Sequence, residues 1–406
     1  MALPRRAGVL LAALVSGWLI AGCGSSSPSA TAGGASASAN ALAIPIAAPT
    51  KSASATPTAA PSSAKPSISA PPGTPLAAGN PNGDAAIPAD ARAVDTSHPD
   101  RVVGSGTPAS CTSAAVVAAV AAGGVITFSC GPDPVVITMT ATAKLRNAST
   151  RVVLDGGGKV TLSGGGARRI LYLNTCDQAQ GWATSHCQNQ QYPQLTVQNL
   201  TFANGNSTGQ TAQNTNGGGG GALFDRGGRL KIVHSRFIGN RCDSTGPDLG
   251  GAAVRALEQW QGMPVYVVDS TFGGAPGQGG VCSNGGALSS IGVSWSVLNC
   301  VMTYNFAIGH GANPARSGTP GGGSGGAIYT DGNTYTVTIQ GSIIEHNTAN
   351  EGGGALFYVS NDRTGTLSIR DSTLSGNPSR GFWTDGYPGI FFLGSAKPSV
   401  SGSTLN

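Results

Sequence analysis

Short stretches of alternating apolar and polar residues recur along the second half of the chain. Each ends in a polar or glycine residue, then a small residue and an apolar one, as at 230–237 and 265–272. Alternation with a period of two predicts half-buried β-strands, and the polar or glycine residue predicts a turn. Further copies of this ending lie at 199–202, 299–302, 341–344, 371–374 and 402–405. An asparagine often follows three residues later: Asn240, Asn305, Asn347 and Asn377.

A second recurring mark is a Gly-Gly-Ala-apolar unit, which keeps a constant order relative to the strand endings. It appears at 220–223, 250–253, 285–288, 325–328 and 353–356, and in a degenerate form at 388–391. A period of about 30 residues without a helical run predicts a solenoid of short strands. Each repeat buries its apolar face by stacking on its neighbours. A propeller blade would need four strands in about 40 residues, and a leucine-rich repeat would need a leucine ladder.

These units resemble the GGA[I/L] and FxxN repeats of polymorphic outer-membrane proteins. More broadly, residues 101–406 resemble the right-handed parallel β-helices of the pectin-lyase-like superfamily. The resemblance implies an all-β chain that folds as a right-handed parallel β-helix solenoid. Ahead of the repeats, residues 111–122 are rich in Ala and Val and end at two glycines. They predict a short capping helix with Thr112 or Ser113 near its N-cap, covering the open end of the array.

The N-terminal segment has the pattern of an export signal. Arg5 and Arg6 precede an uncharged apolar run over 7–21, which is short for a membrane span. The run ends in Leu-Ile-Ala-Gly-Cys at 19–23, which resembles the lipobox of bacterial lipoproteins. The resemblance implies a signal peptide over 1–22, lipidation of Cys23, and an extracytoplasmic protein anchored to the bacterial cell membrane. An ordinary secretory signal with a chance cysteine is the alternative.

Residues 23–100 are rich in Ser, Ala, Pro, Thr and Gly and show no apolar periodicity. Such a segment cannot bury enough apolar surface to offset the entropy of the chain. The sequence therefore predicts a disordered tether over 23–100, followed by the β-helix domain over 101–406.

Composition narrows the range of functions. Glycine supplies 63 of 406 residues, and charged residues make up 10% against a typical share of about 25%. The net charge is +5 without a basic run, which argues against a nucleic-acid partner. Aromatic residues at 6% and only 4 methionines argue against a helical bundle.

Eight cysteines leave an odd number once Cys23 is set aside. Export permits disulfides. The first predicted pair flanks the capping helix, the second brackets a polar excursion between two strands, and the third lies in turns about one repeat apart: Cys111–Cys130, Cys176–Cys187 and Cys242–Cys282. Cys300 occupies a position that other repeats fill with serine, which predicts a small buried thiol. No spacing typical of structural zinc occurs, so no metal is predicted.

No convincing catalytic set emerges, although enzymes of the superfamily that the repeats resemble place acidic residues on one outer face. Glu345, Asp371 and Asp331 come nearest to such a set, and we interpret them as solvated turn residues. His310 lies in a Gly-His-Gly element similar to that of polygalacturonases, but the companion elements of that family are missing. His234 occupies a turn position. We therefore predict no catalytic residue and no cofactor.

Aromatic residues are concentrated near the C-terminus, over 382–392. Flat rings there either stack on sugars or plug the last repeat, and we favour the plug. Phe382, Trp383 and Tyr387 are the candidate ligand-binding residues.

One further expectation concerns the Gly-Gly-Ala strands. Residues two apart share a face, and charges at Asp225 and Arg255 are costly inside an apolar interior. The alternation then predicts an outward apolar stripe, available to a partner: Leu223, Leu288, Ile328, Leu356 and Phe391.

Two functional hypotheses follow. The first is a lipid-anchored cell-surface module without catalysis that binds a polysaccharide or cell-wall glycan, or is adhesive or structural. The alternative is a polysaccharide lyase or glycoside hydrolase, which the superfamily resemblance implies. The sequence leaves the oligomeric state open.

Overall fold

A computed structural model describes residues 77–181, 183–210 and 218–406. The predicted signal peptide, the predicted lipidation site at Cys23 and the first part of the predicted tether lie outside the described residues.

Short strands dominate the described chain, together with one α-helix, α1 (Ser113–Ala122). The described residues also contain four single-turn 3₁₀ helices, at Ala89–Ala91, Pro108–Ser110, Gln178–Gln180 and Trp260–Gly262. Up to residue 203 the strands are β1 (Arg101–Val103), β2 (Gly124–Phe128), β3 (Val135–Thr138), β4 (Ala143–Lys144), β5 (Arg151–Ser163), β6 (Leu171–Asn174) and β7 (Gln194–Ala203).

The strands beyond residue 218 are shorter and recur with the sequence repeats. In chain order they are β8 (Leu223–Arg226), β9 (Arg229–Val233), β10 (Arg236–Ile238), β11 (Val254–Leu257), β12 (Val265–Val268), β13 (Thr271–Phe272), β14 (Val281–Cys282), β15 (Leu288–Ile291), β16 (Trp295–Leu298), β17 (Val301–Thr303), β18 (Phe306–Ala307), β19 (Ile328–Gly332), β20 (Thr336–Gln340), β21 (Ile343–Glu345), β22 (Thr348–Ala349), β23 (Leu356–Ser360), β24 (Thr366–Arg370), β25 (Thr373–Ser375), β26 (Ile390–Leu393), β27 (Ser399–Ser401) and β28 (Thr404–Leu405).

The paired strands run parallel, and each repeat stacks its strands on those of the next. One sheet of 17 strands contains two such ladders, joined through the long strands β5 and β7. A second sheet of 8 strands runs β4-β6-β8-β11-β15-β19-β23-β26, and a third joins β14, β18 and β22. Stacked parallel sheets of this kind are compatible with a β-helix-like solenoid, so the coarse fold prediction is confirmed.

The polar residue that ends each alternating strand adopts a left-handed backbone conformation. The φ angle is 47° at His234, 46° at Asp269, 53° at Asn299 and 47° at Asp371, and glycine takes the position at Gly341. Asn, Asp, His and Gly tolerate this conformation better than other residues. The turn therefore selects those residue types, and the repeating corner residue in the sequence marks the bend between two ladders.

The Gly-Gly-Ala units likewise place a glycine at positive φ, with 62° at Gly220 and 52° at Gly285. A Cβ atom on Gly220 would lie 2.4 Å from the carbonyl oxygen of Leu223, and one on Gly285 would lie 2.2 Å from that of Leu288. In the unit at 250–253 the corresponding glycine is Gly251, with φ 72°. That unit is therefore shifted by one residue relative to its neighbours.

The predicted outward apolar stripe is wrong, because four of its five residues lie in the main hydrophobic core: Leu223, Leu288, Ile328 and Leu356. The shift at Gly251 also removes the argument from Arg255. The register aligns Val254, not Ala253, with Leu223 and Leu288, so Arg255 aligns with Phe224 on the outer side. The inward position of each repeat joins the main hydrophobic core: Leu223, Val254, Leu288, Ile328, Leu356 and Ile390. Phe391, offset by one residue from this column, is half-buried and stacks on Phe357 on the outer face.

Asp225 lies in the interior, contrary to the expectation that a charge would be excluded from it. Its side chain is fully buried, and Oδ2 accepts a hydrogen bond from Nε2 of Gln259 at 2.5 Å. Burial raises the pKa of Asp225 well above its usual range. Burial therefore disfavours the charged form of this carboxyl group in the interior.

Two polar columns stabilise the bends between ladders. Hydroxyl groups in successive repeats accept from the backbone N–H of the preceding repeat, for example Ser342 Oγ from Cys300 and Ser372 Oγ from Ser342. Cys300 is free and buried in this column, as predicted, and burial raises the pKa of its thiol to about 12. The recurring asparagines form the second column, in which Asn347 Oδ1 accepts from the N–H of Asn305 at 2.9 Å.

Helix α1 has the predicted caps. Thr112 is the N-cap, and its hydroxyl accepts from the N–H of Ala115, while Gly123 ends the helix at φ 73°. Val116 and Val120 are buried in the main core. The helix thus covers apolar surface of the first repeats, where it packs on β1, β2 and β4.

The structure joins the same three cysteine pairs that the sequence predicts. The Cα–Cα separations are 5.6 Å for Cys111–Cys130, 4.9 Å for Cys176–Cys187 and 4.8 Å for Cys242–Cys282. Disulfides persist in oxidising compartments, so three of them fit an extracytoplasmic protein. None of the helices in the described part of the chain is long and apolar enough to cross a membrane.

The end of the predicted tether differs from the expectation. Residues 77–100, which we call the N-terminal strap, pack on the outside of the 17-stranded sheet. Ala85 and Ala91 are buried there against Val233, Val268 and Leu298. Composition missed this because a few buried alanines and hydrogen bonds to the side chains of distant repeats suffice to hold the segment.

Candidate functional site

An open cleft of about 600 Å³ lies beside the C-terminal end of helix α1. Its lining comes from four chain segments: the end of the N-terminal strap, the end of helix α1, the turn into β5, and the start of β7 with the residues before it. The lining residues are Asp100, Ala122, Gly123, Gly124, Ala148, Ser149, Thr150, Arg151, Tyr192 and Gln194.

The cleft is shaped by a close approach of the strap to strand β2. Asp100 Oδ2 accepts from the N–H of Val125 at 2.6 Å. A Cβ atom on Gly124 would lie 2.6 Å from the same carboxylate oxygen, so glycine is required at this point. Helix termination at Gly123 and the short path into β2 therefore keep the cleft open next to Asp100.

The side chains of the cleft combine one aromatic ring with several hydrogen-bonding groups. Tyr192 is 42% exposed, which is unusual for a tyrosine in this chain. Arg151 and Asp100 face each other at 4.0 Å, and both side chains are about half exposed. Arg151 is the register partner of Gln194 across β5 and β7, so their positions are fixed by the sheet. A ring beside charged, amide and hydroxyl groups suits a ligand that is rich in hydroxyls.

A second polar cluster lies on the outer side of the eight-stranded sheet. Asn313 Nδ2 donates to Asp248 Oδ1 at 2.7 Å and to Asp331 Oδ2 at 2.9 Å. It also contacts the hydroxyl of Tyr329, which lies 3.3 Å from each carboxylate. Asn361 donates to the other oxygen of Asp331 at 3.0 Å. Two carboxylates therefore share one amide group.

The electrostatics of this cluster follow from burial and from the paired charges. Burial, and next the charge of Asp248, raise the pKa of Asp331 to about 6. Arg255 lies below the cluster, donating to Ser289 Oγ at 2.6 Å and to the carbonyl of Asp248. Burial lowers the pKa of Arg255, and the charges of Tyr329, Asp248 and Asp331 act against that shift.

A neighbouring ion pair holds the loop between β18 and β19, which carries both Asn313 and Arg316. Glu351 is buried and accepts from Arg316 at 2.7 and 2.9 Å and from the N–H of Gly311 at 2.8 Å. Burial alone would raise the pKa of Glu351, but the hydrogen bonds from Arg316 and Gly311 outweigh it and hold the pKa below its usual range. Asn313 and Arg316 thus fix this loop over the buried Tyr329.

The three acidic residues singled out in the sequence do not form one set, and the interpretation as turn residues holds only for Asp371. Glu345 lies in β21 and Asp331 in β19. Glu345 accepts from the hydroxyl of Ser375 at 2.7 Å, and Asp371 occupies a left-handed bend. His234 lies 3.4 Å from Asp269 at the bends of adjacent repeats, and His310 lies 3.3 Å from the amide of Asn350. Sequence reasoning missed Asp248 as the partner of Asp331 because Asp248 comes from an insertion between repeats.

Of the three candidate aromatic residues near the C-terminus, two pack against other side chains and one is exposed to solvent. Phe382 packs edge-on against Phe357 and Phe391 on the outer face, and Tyr387 packs against the main core. Trp383 is 53% exposed, the only one of the three candidates with its ring mostly in solvent. The segment also caps the edge of β26, since Thr384 donates its N–H to the carbonyl of Ile390.

No group of three or more His, Cys, Asp or Glu side chains that could hold a metal occurs within 77–181, 183–210 and 218–406. In comparisons with known proteins, the chain matches no family model, no curated protein and no solved structure.

Proposed function

We propose that this chain is a lipid-anchored cell-surface protein with a right-handed parallel β-helix domain that binds a polysaccharide or cell-wall glycan without cleaving it. The open cleft beside helix α1 carries the proposal. It is accessible from solvent and combines an exposed tyrosine ring with charged, amide and hydroxyl side chains. The lipobox-like Cys23 and the three disulfides support a location outside the cytoplasm.

The role of Tyr192 gives the direct test of this site. Removing the ring in Tyr192→Ala should weaken the affinity for a retained glycan about tenfold, because stacking and apolar contact with the sugar are lost. Affinity electrophoresis of the whole chain in glycan-containing gels measures this change. Val136→Ala is the control, an exposed apolar side chain outside the cleft, and should leave the affinity unchanged. Equal affinity for Tyr192→Ala and the unchanged chain would remove the cleft from the proposal.

A second candidate function is glycan hydrolysis, and the shared amide of Asn313 is the observation that favours it. Both carboxylates lie within hydrogen-bond distance of one nitrogen atom, a spacing closer to the about 5–5.5 Å of retaining glycosidases than to the about 6.5–9.5 Å of inverting enzymes. Asp331 would protonate the leaving oxygen and Asp248 would act as nucleophile. Asn313 fills the space between the two carboxylates, and Tyr329 beside them is buried, which leaves little room for a sugar. We therefore prefer glycan binding at the cleft over hydrolysis.

This second candidate makes a pH-dependent prediction. The acid must carry its proton, so turnover should fall as the pH rises through about 6, the pKa of Asp331. Asp331→Asn should reduce the release of new reducing ends at least about 100-fold. Glu345→Gln, a carboxylate outside the pair, is the matched control. Release that is absent, or that falls equally in both variants, would exclude the pair as a catalytic site.

A further inference from the structure

The N-terminal strap is hooked around one bend of the stacked repeats. At Asn299 the backbone carbonyl accepts from the N–H of Asn80 at 2.8 Å. Its side-chain Oδ1 accepts from the N–H of Ala85 at 2.8 Å, and its Nδ2 donates to the carbonyl of Ala85 at 3.3 Å. Asn80 Nδ2 also reaches the carbonyl of Gly341, one repeat further, at 2.8 Å. Residues 80–85 therefore close around Asn299.

The hook depends on close backbone contact. A Cβ atom on Gly83 would lie 2.6 Å from both Asn299 Oδ1 and the carbonyl oxygen of Gly341. Ahead of the hook, Gly79 donates to Thr271 Oγ1 at 2.9 Å. Glycine at position 83 is thus the one residue type that lets the strap approach this bend.

From the hook the strap descends over successively earlier repeats to residue 100. Lys231 Nζ donates to the carbonyls of Asp90 and Arg92 at 3.1 and 2.6 Å. Val94 exchanges two hydrogen bonds with the side chain of Gln198, at 2.8 and 2.9 Å. Thr96 then donates to Asp155, and Asp100 meets β2. The strap therefore links the bend at Asn299 to the first repeat along the outside of the sheet.

We propose that the strap is a mechanical clasp: pulling force that arrives from the N-terminal side enters the stacked repeats where residues 77–85 contact them, at Arg236, Thr271 and the bend of Asn299, instead of at Arg101. This inference rests on the proposed surface anchoring, in which residues before 77 connect the domain to Cys23. While the clasp holds, helix α1 and the first repeat are shielded from the load. The sheets are held by continuous backbone ladders, whereas the strap is held by a backbone hydrogen bond to Asn299 and by separate side-chain contacts. The strap therefore detaches as a unit before the sheets unfold.

Single-molecule pulling on the whole, non-lipidated chain through tags at its two ends tests this inference without any glycan. The predicted record contains an early step of up to about 80 Å in contour length, since about 24 residues are released at about 3.3–3.6 Å each. Unfolding of the sheets follows at higher force. A record without a separate early step of this size would overturn the clasp.

Two variants assign the step to the hook. Asn299→Gly keeps the left-handed bend, which Gly341 and Gly402 adopt in other repeats, but removes both side-chain bonds to Ala85. Gly83→Val places its side chain against Asn299 and changes only the strap. Both should abolish the early step or lower its force at least twofold. Asp371→Gly makes the same kind of change at a bend outside the strap's contacts and should not. The same force for Asn299→Gly and Asp371→Gly would contradict the proposal.

Limited trypsin digestion gives an independent readout in solution. The scissile bond after Arg92 has its carbonyl held by Lys231, so cleavage there requires the strap to open. We expect cleavage at Arg92 to accelerate at least tenfold in Asn299→Gly and Gly83→Val relative to Asp371→Gly. Equal cleavage rates in all three variants would show that the hook does not hold the strap. Because these tests need no ligand, they can fail while glycan binding stands.

Discussion

Replacing Phe237 by Ala should destabilise the stacked repeats by about 3–5 kcal/mol, the cost of removing a large buried aromatic side chain. The ring lies between Phe202 and Phe272 in the adjacent repeats, with ring centroids 5.1 and 4.6 Å away and nearly parallel planes. Phe237 is 1% exposed, so little solvent can fill the space left behind. Since each repeat contacts only its neighbours, both stacking interactions are lost together.

Urea unfolding followed by far-ultraviolet circular dichroism measures this free energy of unfolding. Trp383→Ala provides the control, because that ring is 53% exposed and its loss should change the free energy by no more than about 0.5 kcal/mol. If Phe237→Ala lowers the free energy of unfolding no more than Trp383→Ala does, the stacked rings of Phe202, Phe237 and Phe272 do not stabilise the core.

Replacing Asn347 by Ala should cost about 3 kcal/mol, because the asparagine satisfies buried backbone groups of two repeats. Its Nδ2 donates to the carbonyls of Met302 and Glu345 at 2.8 and 3.0 Å, and its Oδ1 accepts from the N–H of Asn305 at 2.9 Å. Alanine leaves Met302 and Asn305 without these partners in a site that water does not reach.

The same urea unfolding experiment applies, with Asn333→Ala as the matched control. Asn333 is exposed, so its side chain can be replaced at little cost. Loss of stability confined to Asn347→Ala is the expected result. If both variants unfold at the same urea concentration as the unchanged chain, the asparagine column is not a stabilising element.

Local backbone requirements explain which parts of the fold the sequence predicts well. The bends at His234, Asp269 and Asn299 need a left-handed residue, and this need appears in the sequence as a recurring polar position. The ends of helix α1 are likewise predictable, because Thr112 and Gly123 are residue types that favour the N-cap and the C-cap. Features that depend on one residue and its immediate neighbours can therefore be predicted without coordinates.

Which side chains of the Gly-Gly-Ala strands point inward cannot be predicted from local sequence alone. A shift of one residue reverses the face of every side chain in a strand. Gly251 rather than Gly250 takes the left-handed position, and this difference sends Arg255 outward and Val254 inward. Asp225 then enters the interior, where Gln259, 34 residues away, donates to its carboxyl group. Neither partner is identifiable from spacing alone.

The candidate sites depend even more on long-range contacts. Tyr192 and Asp100 reach the same cleft from opposite sides of β5, and neither is marked by a motif. Asp248 and Asn313 meet Asp331 from two insertions whose paths are set by the loops themselves. The strap shows the same limit, since Asn80 and Gly341 are 261 residues apart in sequence.

Glycan binding without cleavage is most directly tested by presenting the whole non-lipidated chain with a panel of acidic and neutral polysaccharides. Retention on each glycan is measured together with new reducing ends and unsaturated products. We expect that at least one glycan is retained, that retention weakens in Tyr192→Ala, and that no product accumulates. Failure to retain any glycan, or release of products that stops in Asp331→Asn, would contradict this expectation.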